Sequence, residues 1–259
     1  NVANTEGSVA NAFLVDRGRA QFGIVQSDVA AAAVTGAGLF ATTGPLRHLR
    51  AVASLFPEPL HVVVRADSRI QSIAQLEGRR VTLGAAGSGT RHTAVQVLAA
   101  HGLSVGRYRE AGAADPGDAL EQLAAGSVDA VVEVISTPWS QLAQLARRLP
   151  LRVLPLDEAA IERSVAGIHG LVPLAIPART YPGQEEPVRS LAATALLVAN
   201  SEVPDGRVAS ALEGMFAASE SPGRGVSAAR LSREHALVGV TIPLHEGAAR
   251  FFESASGRN

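Results

Sequence analysis

The chain has 259 residues, 47% of them hydrophobic and 18% charged, with a formal net charge of −1. This balance describes a well-cored globule of one large domain or two lobes, and it excludes a disordered segment or a basic nucleic-acid binder. Cys and Lys are both absent, which removes thiolate metal sites, Cys nucleophiles, disulfides, Schiff-base lysines and Walker-type phosphate lysines.

In chain order, residues 9–15 offer an apolar face closed by Asp16, Arg17 and Gly18, which predicts a short helix. Residues 21–25 read as a short buried strand. The Ala-rich run 29–34 after Gln26-Ser27-Asp28 predicts a helix ending at Gly36. Residues 49–56 and 60–64 are apolar runs of strand length, broken by Pro57 and Pro59. A capped helical turn at 72–78 leads into a strand at 79–83. A loop of small residues follows, ending in Gly87-Ser88-Gly89-Thr90, and then a helix to residue 100. Residues 116–125 predict a helix with Gly126 as its C-cap, 128–133 a strand, 138–148 a helix and 151–154 a strand. Residues 161–187 are rich in Pro and Gly and are expected to form a long connection. Residues 190–199 read as a strong strand, with two or three helical segments following up to Phe252. Strands alternating with helices imply an α/β fold with a mostly parallel sheet covered on both faces. No apolar run approaches the ~20 residues needed to cross a bilayer.

Internal symmetry supports two lobes of comparable wiring. Residues 18–25 and 126–133 share one pattern: a helix end, a glycine, a short polar link and a buried strand. A gap between lobes is the commonest place for a small ligand. Three turns before helices carry small polar residues: Thr5-Glu6-Gly7-Ser8, Gln26-Ser27-Asp28 and Gly87-Ser88-Gly89-Thr90. A helix that opens this way presents free N–H groups and the positive end of its dipole, a seat for a carboxylate or phosphate. Each turn taken alone reads first as a helix N-cap; the three together point to a shared polar pocket.

Catalytic readings are thinner. Gly87-Ser88-Gly89 lacks the Gly-x-Ser-x-Gly elbow, and the seven His are scattered without ligand spacing. Glu133 at a strand end reads either as a cleft residue or as a solvated carboxylate. Trp139 after Pro138 reads as a core anchor or a cleft wall, and Phe56 before Pro57 shares that ambiguity. Arg91 on the first helical turn pairs with a ligand anion or stays solvated.

These residues also carry a resemblance. Gly7-Ser8-Val9-x-Asn11, Gly23-Ile24-Val25-Gln26-Ser27-Asp28-Val29-Ala30, Leu49-Arg50-Ala51-Val52-Ala53-Ser54-Leu55-Phe56-Pro57-Glu58 and His61-Val62-Val63-Val64-Arg65-x-Asp67-Ser68 stand in order along the chain. Gly78-Arg79-Arg80-Val81 with the Gly-Ser-Gly-Thr turn, Ile176-Pro177-Ala178-x-x-Tyr181-x-Gly183 and Pro243-Leu244-His245-x-Gly247-Ala248 follow them. The sequence resembles the TAXI-type solute-binding subunits of TRAP transporters over nearly its whole length. The resemblance implies a two-lobe type II periplasmic binding protein fold with lobe two inserted into lobe one. It places lobe one at residues 1–64 and 191–259, lobe two at 65–190, and hinge strands near 60–64 and 191–198. It also implies a periplasmic, non-catalytic receptor, without metal or cofactor, that delivers a glutamate- or glutamine-like amino acid or small carboxylate to TRAP membrane subunits.

Ser8, Gln26, Ser27, Ser88, Gly89 and Thr90 match the family's ligand-facing turns, and Asn11, Phe56, Gly87 and Trp139 complete the expected ligand-binding set. Two departures accompany the match. The family opens with a strand, a Gly-rich loop and a helix of lobe one, whereas Asn1 enters where the second strand would stand, without a signal peptide. Where the family has Gly-x-Pro after the strand ending near Glu133, this chain has Ser136-Thr137-Pro138. Two rival readings keep other classes open: a ligand-sensing domain of a regulator with the same fold, and an enzyme on that scaffold, for which no convincing Asp–His pair is seen.

Overall fold

The computed structural model describes residues 2–219 and 232–256, so the part of the predicted C-terminal helical region that falls on 220–231 lies outside the described residues. The chain forms two compact units, Asn1–Phe56 with Thr194–Asn259, and Pro57–Ala193. It passes from one to the other twice, within strand β2 (Leu49–Arg65) and within strand β8 (Val188–Asn200).

In the first unit, α1 (Ser8–Asp16) leads through a turn into β1 (Phe22–Gln26), and α2 (Ser27–Thr35) starts at the next residue. β1 pairs antiparallel with β8, Phe22 opposite Ala199 and Gln26 opposite Ala195. Phe40, Leu49, Val25, Val29, Leu196 and Val198 form one buried cluster against these helices. A second cluster joins Val52 and Ala53 to α7 (Asp205–Ser219) and α8 (Glu246–Ser256) through Val208, Leu212, Phe216 and Phe252. The Asn200 carboxamide donates to Val15 O at 2.8 Å and Asp16 O at 2.9 Å, satisfying carbonyls that the end of α1 leaves open.

In the second unit, β3 (Arg80–Thr82), α3 (Gly89–Ala100), β4 (Arg109–Ala111), α4 (Pro116–Ala125) and β5 (Ala130–Val134) alternate along the chain. β3 pairs parallel with both β4 and β5. β2 pairs antiparallel with β5 on one edge, Leu60 opposite Val134, and with β6 (Leu151–Val153) on the other, Val63 opposite Val153. β7 (Val172–Ile176) pairs antiparallel with the first half of β8. Side chains alternate across this sheet. Val62, Val64, Ala130 and Val132 pack with Val97 and Leu98 of α3 on one face. Val63 and Val131 pack with Leu120 and Leu123 of α4, and with Leu142 of α5 (Ser140–Ala146), on the other. A strand covered on both faces reads as a continuous apolar run, as 60–64 and 130–134 nearly do.

Three expectations change. The sheet is mixed rather than mostly parallel, because only the β3–α3–β4–α4–β5 run has the helical crossovers that parallel pairing needs, while β2, β6, β7 and β8 pair antiparallel. Residues 49–56 and 60–64 are one strand despite Pro57 and Pro59. Prolines two apart lack the N–H on the same strand edge, and the register with β5 begins only at Leu60. The stretch 161–187 is not a plain connection: it overlaps α6 (Glu158–Gly167), which buries Ala160, Ile161 and Ser164, and it contains β7. The prolines there fall in and after β7, whose described partner is β8 alone, where a missing N–H is tolerated.

Two helices end on glycines in the left-handed region, Gly36 after α2 at φ 69° and Gly126 after α4 at φ 73°. A Cβ on Gly126 would meet nothing within 4 Å, whereas one on Gly36 would lie 2.9 Å from Pro45 Cδ. Gly126→Ala should therefore cost only the left-handed backbone penalty, about 1–2 kcal/mol. Gly36→Ala adds a clash, and in urea unfolding it should lower the midpoint clearly more than Gly126→Ala does.

Candidate functional site

In the second unit, the turn between β3 and α3 is shaped by Gly84 at φ 77°. A Cβ there would come within 2.8 Å of Ser88 Oγ and 2.9 Å of Thr90 Cβ, so the backbone closes down on the helix start only because position 84 is glycine. Ser88 is the N-cap of α3: its hydroxyl accepts from Arg91 N at 3.2 Å and donates to Ala85 O at 2.7 Å. The first two helical residues, Gly89 and Thr90, are buried, and their N–H groups have no acceptor among the described residues. Two such donors at the positive end of a 12-residue helix are the backbone arrangement that favours an anion.

The Thr90 hydroxyl is tied down. It donates to Glu133 Oε2 at 3.0 Å and accepts from Val134 N at 3.2 Å, clamping the start of α3 onto the end of β5. Glu133 is 3% exposed. Its Oε1 is buried with no hydrogen-bond partner among the described residues. Burial pushes its carboxyl from 4.5 up to about 7, the Thr90 hydrogen bond opposing and the Asp115 charge adding to the rise. Of the two readings of Glu133 open in the sequence, the solvated carboxylate is thereby excluded.

Opposite Glu133 on β2 sits His61. Its Nδ1 lies 2.9 Å from Pro59 O, which only accepts, so Nδ1 carries the proton and Nε2 accepts from the Tyr181 hydroxyl at 2.8 Å. Tyr181 Oη in turn accepts from Trp139 N at 3.0 Å. Burial lowers the imidazole from 6.5 to about 4, which keeps it neutral, and pushes the Tyr181 hydroxyl up to about 12. Trp139 is 2% exposed, its ring edge-on to His61 and its Nε1 bonded to Gln141 Oε1, so its side chain belongs to the core and not to a wall open to solvent. Arg91 forms a two-pronged ion pair with Glu110 on β4, at 2.7 and 3.1 Å, which neutralises the cation on the first turn of α3.

In the first unit, the second polar turn is equally committed to holding its helix. Ser8 Oγ accepts from Gln26 N at 3.1 Å, joining the start of α1 to the end of β1. Ser27 Oγ accepts from Thr194 N at 2.8 Å, and Thr241 Oγ1 donates to Ser27 O at 2.7 Å. Gln26 is 4% exposed and its Oε1 has no partner among the described residues. Asn11 donates to Ile24 O at 2.8 Å and accepts from the Thr5 hydroxyl at 2.7 Å. Phe56, half-buried, joins none of the hydrophobic clusters.

The structure thus gathers Gly87, Ser88, Gly89 and Thr90 at one helix mouth, and Ser8, Asn11, Gln26 and Ser27 around the ends of β1 and α1, while Trp139 lies in the core. Sequence reading did not foresee that the serine and threonine hydroxyls would be consumed internally, leaving backbone N–H groups as the free donors. Nor did it find the His61–Tyr181–Trp139 network; the available signal was a lone His within an apolar strand. A depression of about 430 Å³ elsewhere in this unit, lined by Leu142, Arg152, Tyr181 and Glu185, contains none of the expected ligand contacts. Among the described residues no His, Asp and Glu cluster could hold a metal ion, and no helix is long and apolar enough to cross a membrane.

The two buried titratable groups oppose each other with pH. Folding holds Glu133 protonated, so stability falls as pH rises from 4.5 to about 7; folding holds His61 neutral, so stability falls as pH drops from 6.5 to about 4. Over the shared window the two slopes cancel. Glu133→Gln should remove the alkaline limb, gaining on the order of 3 kcal/mol relative to the parent protein between pH 4.5 and 8. Urea titrations across pH check this. Tyr181→Phe leaves Trp139 N–H and His61 Nε2 without partners and should cost about 1–3 kcal/mol in the same assay.

Comparison with solved structures gives the fold. The alkanesulfonate-binding protein SsuA from Xanthomonas axonopodis pv. citri, bound to MOPS, is 18% identical with a TM-score of 0.53, over 97% of this chain and 72% of that one. The periplasmic aliphatic sulphonate binding protein SsuA from Escherichia coli is 16% identical with a TM-score of 0.52, over 96% and 70%. A structure described as a periplasmic transporter is 13% identical with a TM-score of 0.55, over 99% and 81%. The chain therefore has the α/β fold that these periplasmic binding proteins share. Residues 1–255 match the NMT1-like family, and the chain belongs to that family.

Proposed function

We propose that this protein is an extracytoplasmic solute receptor that captures a small organic anion, a carboxylate or a glutamate- or glutamine-like amino acid, and delivers it to the membrane subunits of a TRAP transporter. The observation that carries this reading is the pair of unpartnered N–H groups of Gly89 and Thr90 at the start of α3. Two donors at a helix mouth suit one carboxylate, and with Arg91 already paired to Glu110 the helix start itself supplies the attraction. Ser8, Asn11, Gln26, Ser27 and Phe56 of the first unit, and Gly87 and Ser88 of the second, are proposed as further ligand contacts. The buried Gln26 Oε1, lacking a partner, is the strongest of these. The TRAP assignment and the periplasmic location rest on the TAXI resemblance of the sequence blocks and on the fold shared with periplasmic binding proteins.

A second reading is a sulfonate receptor. The Xanthomonas SsuA carries MOPS, a sulfonate, and a sulfonate oxygen accepts from the same two N–H groups. Thermal-shift screening against amino acids, dicarboxylates and alkanesulfonates decides between them, since a ligand that binds only the native state raises the melting temperature. No response to any of these anions would overturn the receptor reading. Gly89→Pro tests the seat itself. Proline is favoured at the first helical position, and Ser88 already has extended backbone at ψ 154°, so the change deletes one donor and keeps the helix. Calorimetric affinity for the ligand found should fall about tenfold or more, the value of a charge-assisted hydrogen bond. An unchanged affinity would place the ligand elsewhere.

A further inference from the structure

A buried carboxylate oxygen without a donor is costly, and native structures keep few of them. Glu133 is the buried acid of the second unit that is in this position. Its Oε2 is held by Thr90, yet its Oε1 faces no donor among the described residues. The groups packed around it do not supply one. His61, directly opposite on β2, spends its proton on Pro59 O. The Tyr181 hydroxyl is bonded to His61 and accepts from Trp139 N. Asp115, at the start of α4, repels it. On β3, the Thr82 hydroxyl is itself buried without a partner and makes no bond to Glu133. On α3, the arginine of the first turn is taken by Glu110. Among the described residues no cation answers this carboxylate.

The position of the orphaned oxygen narrows what could answer it. The residue whose hydroxyl grips Glu133 is Thr90, and the same residue's N–H is one of the two donors of the anion seat. The seat and the carboxylate are thus both served by Thr90, one through its N–H and the other through its hydroxyl. An α-amino acid likewise carries its ammonium beside its own carboxylate. We propose that Glu133 is the specificity-determining residue of this receptor, its Oε1 accepting from the ammonium group of an α-amino acid whose carboxylate rests on the N–H groups of Gly89 and Thr90. This rests on the reading of α3 as the ligand seat and goes beyond it by selecting zwitterionic amino acids over bare carboxylates and sulfonates. Burial makes the choice sharp, because water cannot replace the missing ammonium.

The coupling has a sign. In the free protein near pH 7, burial leaves Glu133 partly protonated; an ammonium brought against Oε1 ionises it, so capture of an amino acid releases protons. A bare anion on the seat does the opposite and draws a proton onto Glu133.

The test is titration calorimetry at pH 7 in two buffers of different ionisation enthalpy. The probes are L-glutamate, L-glutamine, glutarate (glutamate without its ammonium) and methanesulfonate. Expected are at least tenfold tighter binding of an amino acid than of glutarate, and net proton release with the amino acid alone. Glu133→Gln, checked for folding by urea titration, should lose at least tenfold in amino-acid affinity and all proton release, with glutarate affinity unchanged or improved. Equal affinity for glutamate and glutarate, or amino-acid binding indifferent to Glu133→Gln, would overturn the role of Glu133 and leave the anion receptor standing. Binding of methanesulfonate alone would do the same. Binding of none of the four probes would remove the receptor reading, and this inference with it.

Discussion

The antiparallel pairing of β2 with β5 is the constraint from which the second unit follows. Five residue pairs, from Leu60–Val134 to Val64–Ala130, lock two strands that are buried on both faces. Once helices cover both sides, no polar group on these strands can reach water, and each must be answered within the protein. His61 and Glu133 are the two exceptions in otherwise apolar runs, and the register sets them directly opposite one another. Their solutions differ. His61 gives up its charge and joins a closed network with Tyr181 and the Trp139 backbone. Glu133 is only half answered, by Thr90.

That asymmetry separates structure from function in this unit. The His61 network is complete: donor matches acceptor from Pro59 O through imidazole and phenol to the Trp139 N–H. It fixes the chain after β5 against β2 and leaves nothing over for a ligand. The Thr90–Glu133 pair performs a similar mechanical task, pinning α3 to β5, but among the described residues it leaves Glu133 Oε1 and the N–H groups of Gly89 and Thr90 without partners. In the first unit the Ser8 hydroxyl ties the start of α1 to the end of β1, the Ser27 hydroxyl ties the start of α2 to the middle of β8, and Thr241 donates to Ser27 O.

Much of the architecture was legible along the chain. The Gly-Ser-Gly-Thr turn, the helix that Pro116 opens and Gly126 closes, and the strand before Glu133 all follow from local capping and periodicity. The misreadings have physical reasons. Pro57 and Pro59 look like a break but share one strand edge, so the extended chain runs through them. Pro173 and Pro177 suggest a loop, but an edge strand tolerates a missing N–H. The mostly parallel sheet was inferred from alternation, which governs only strands joined by helical crossovers.

The sequence by itself determined most of the helices, several strands and which turns carry small polar residues, because those depend on neighbours a few positions away. Tertiary structure alone decided how the polar groups are spent. The Thr90 hydroxyl meets an acid 43 positions along the chain, and His61 meets a phenol 120 positions away. Such partners are chosen by sheet register and helix packing, which no local pattern encodes. Whether a serine or a glutamate serves the fold or a ligand is settled only when its last hydrogen bond has been counted.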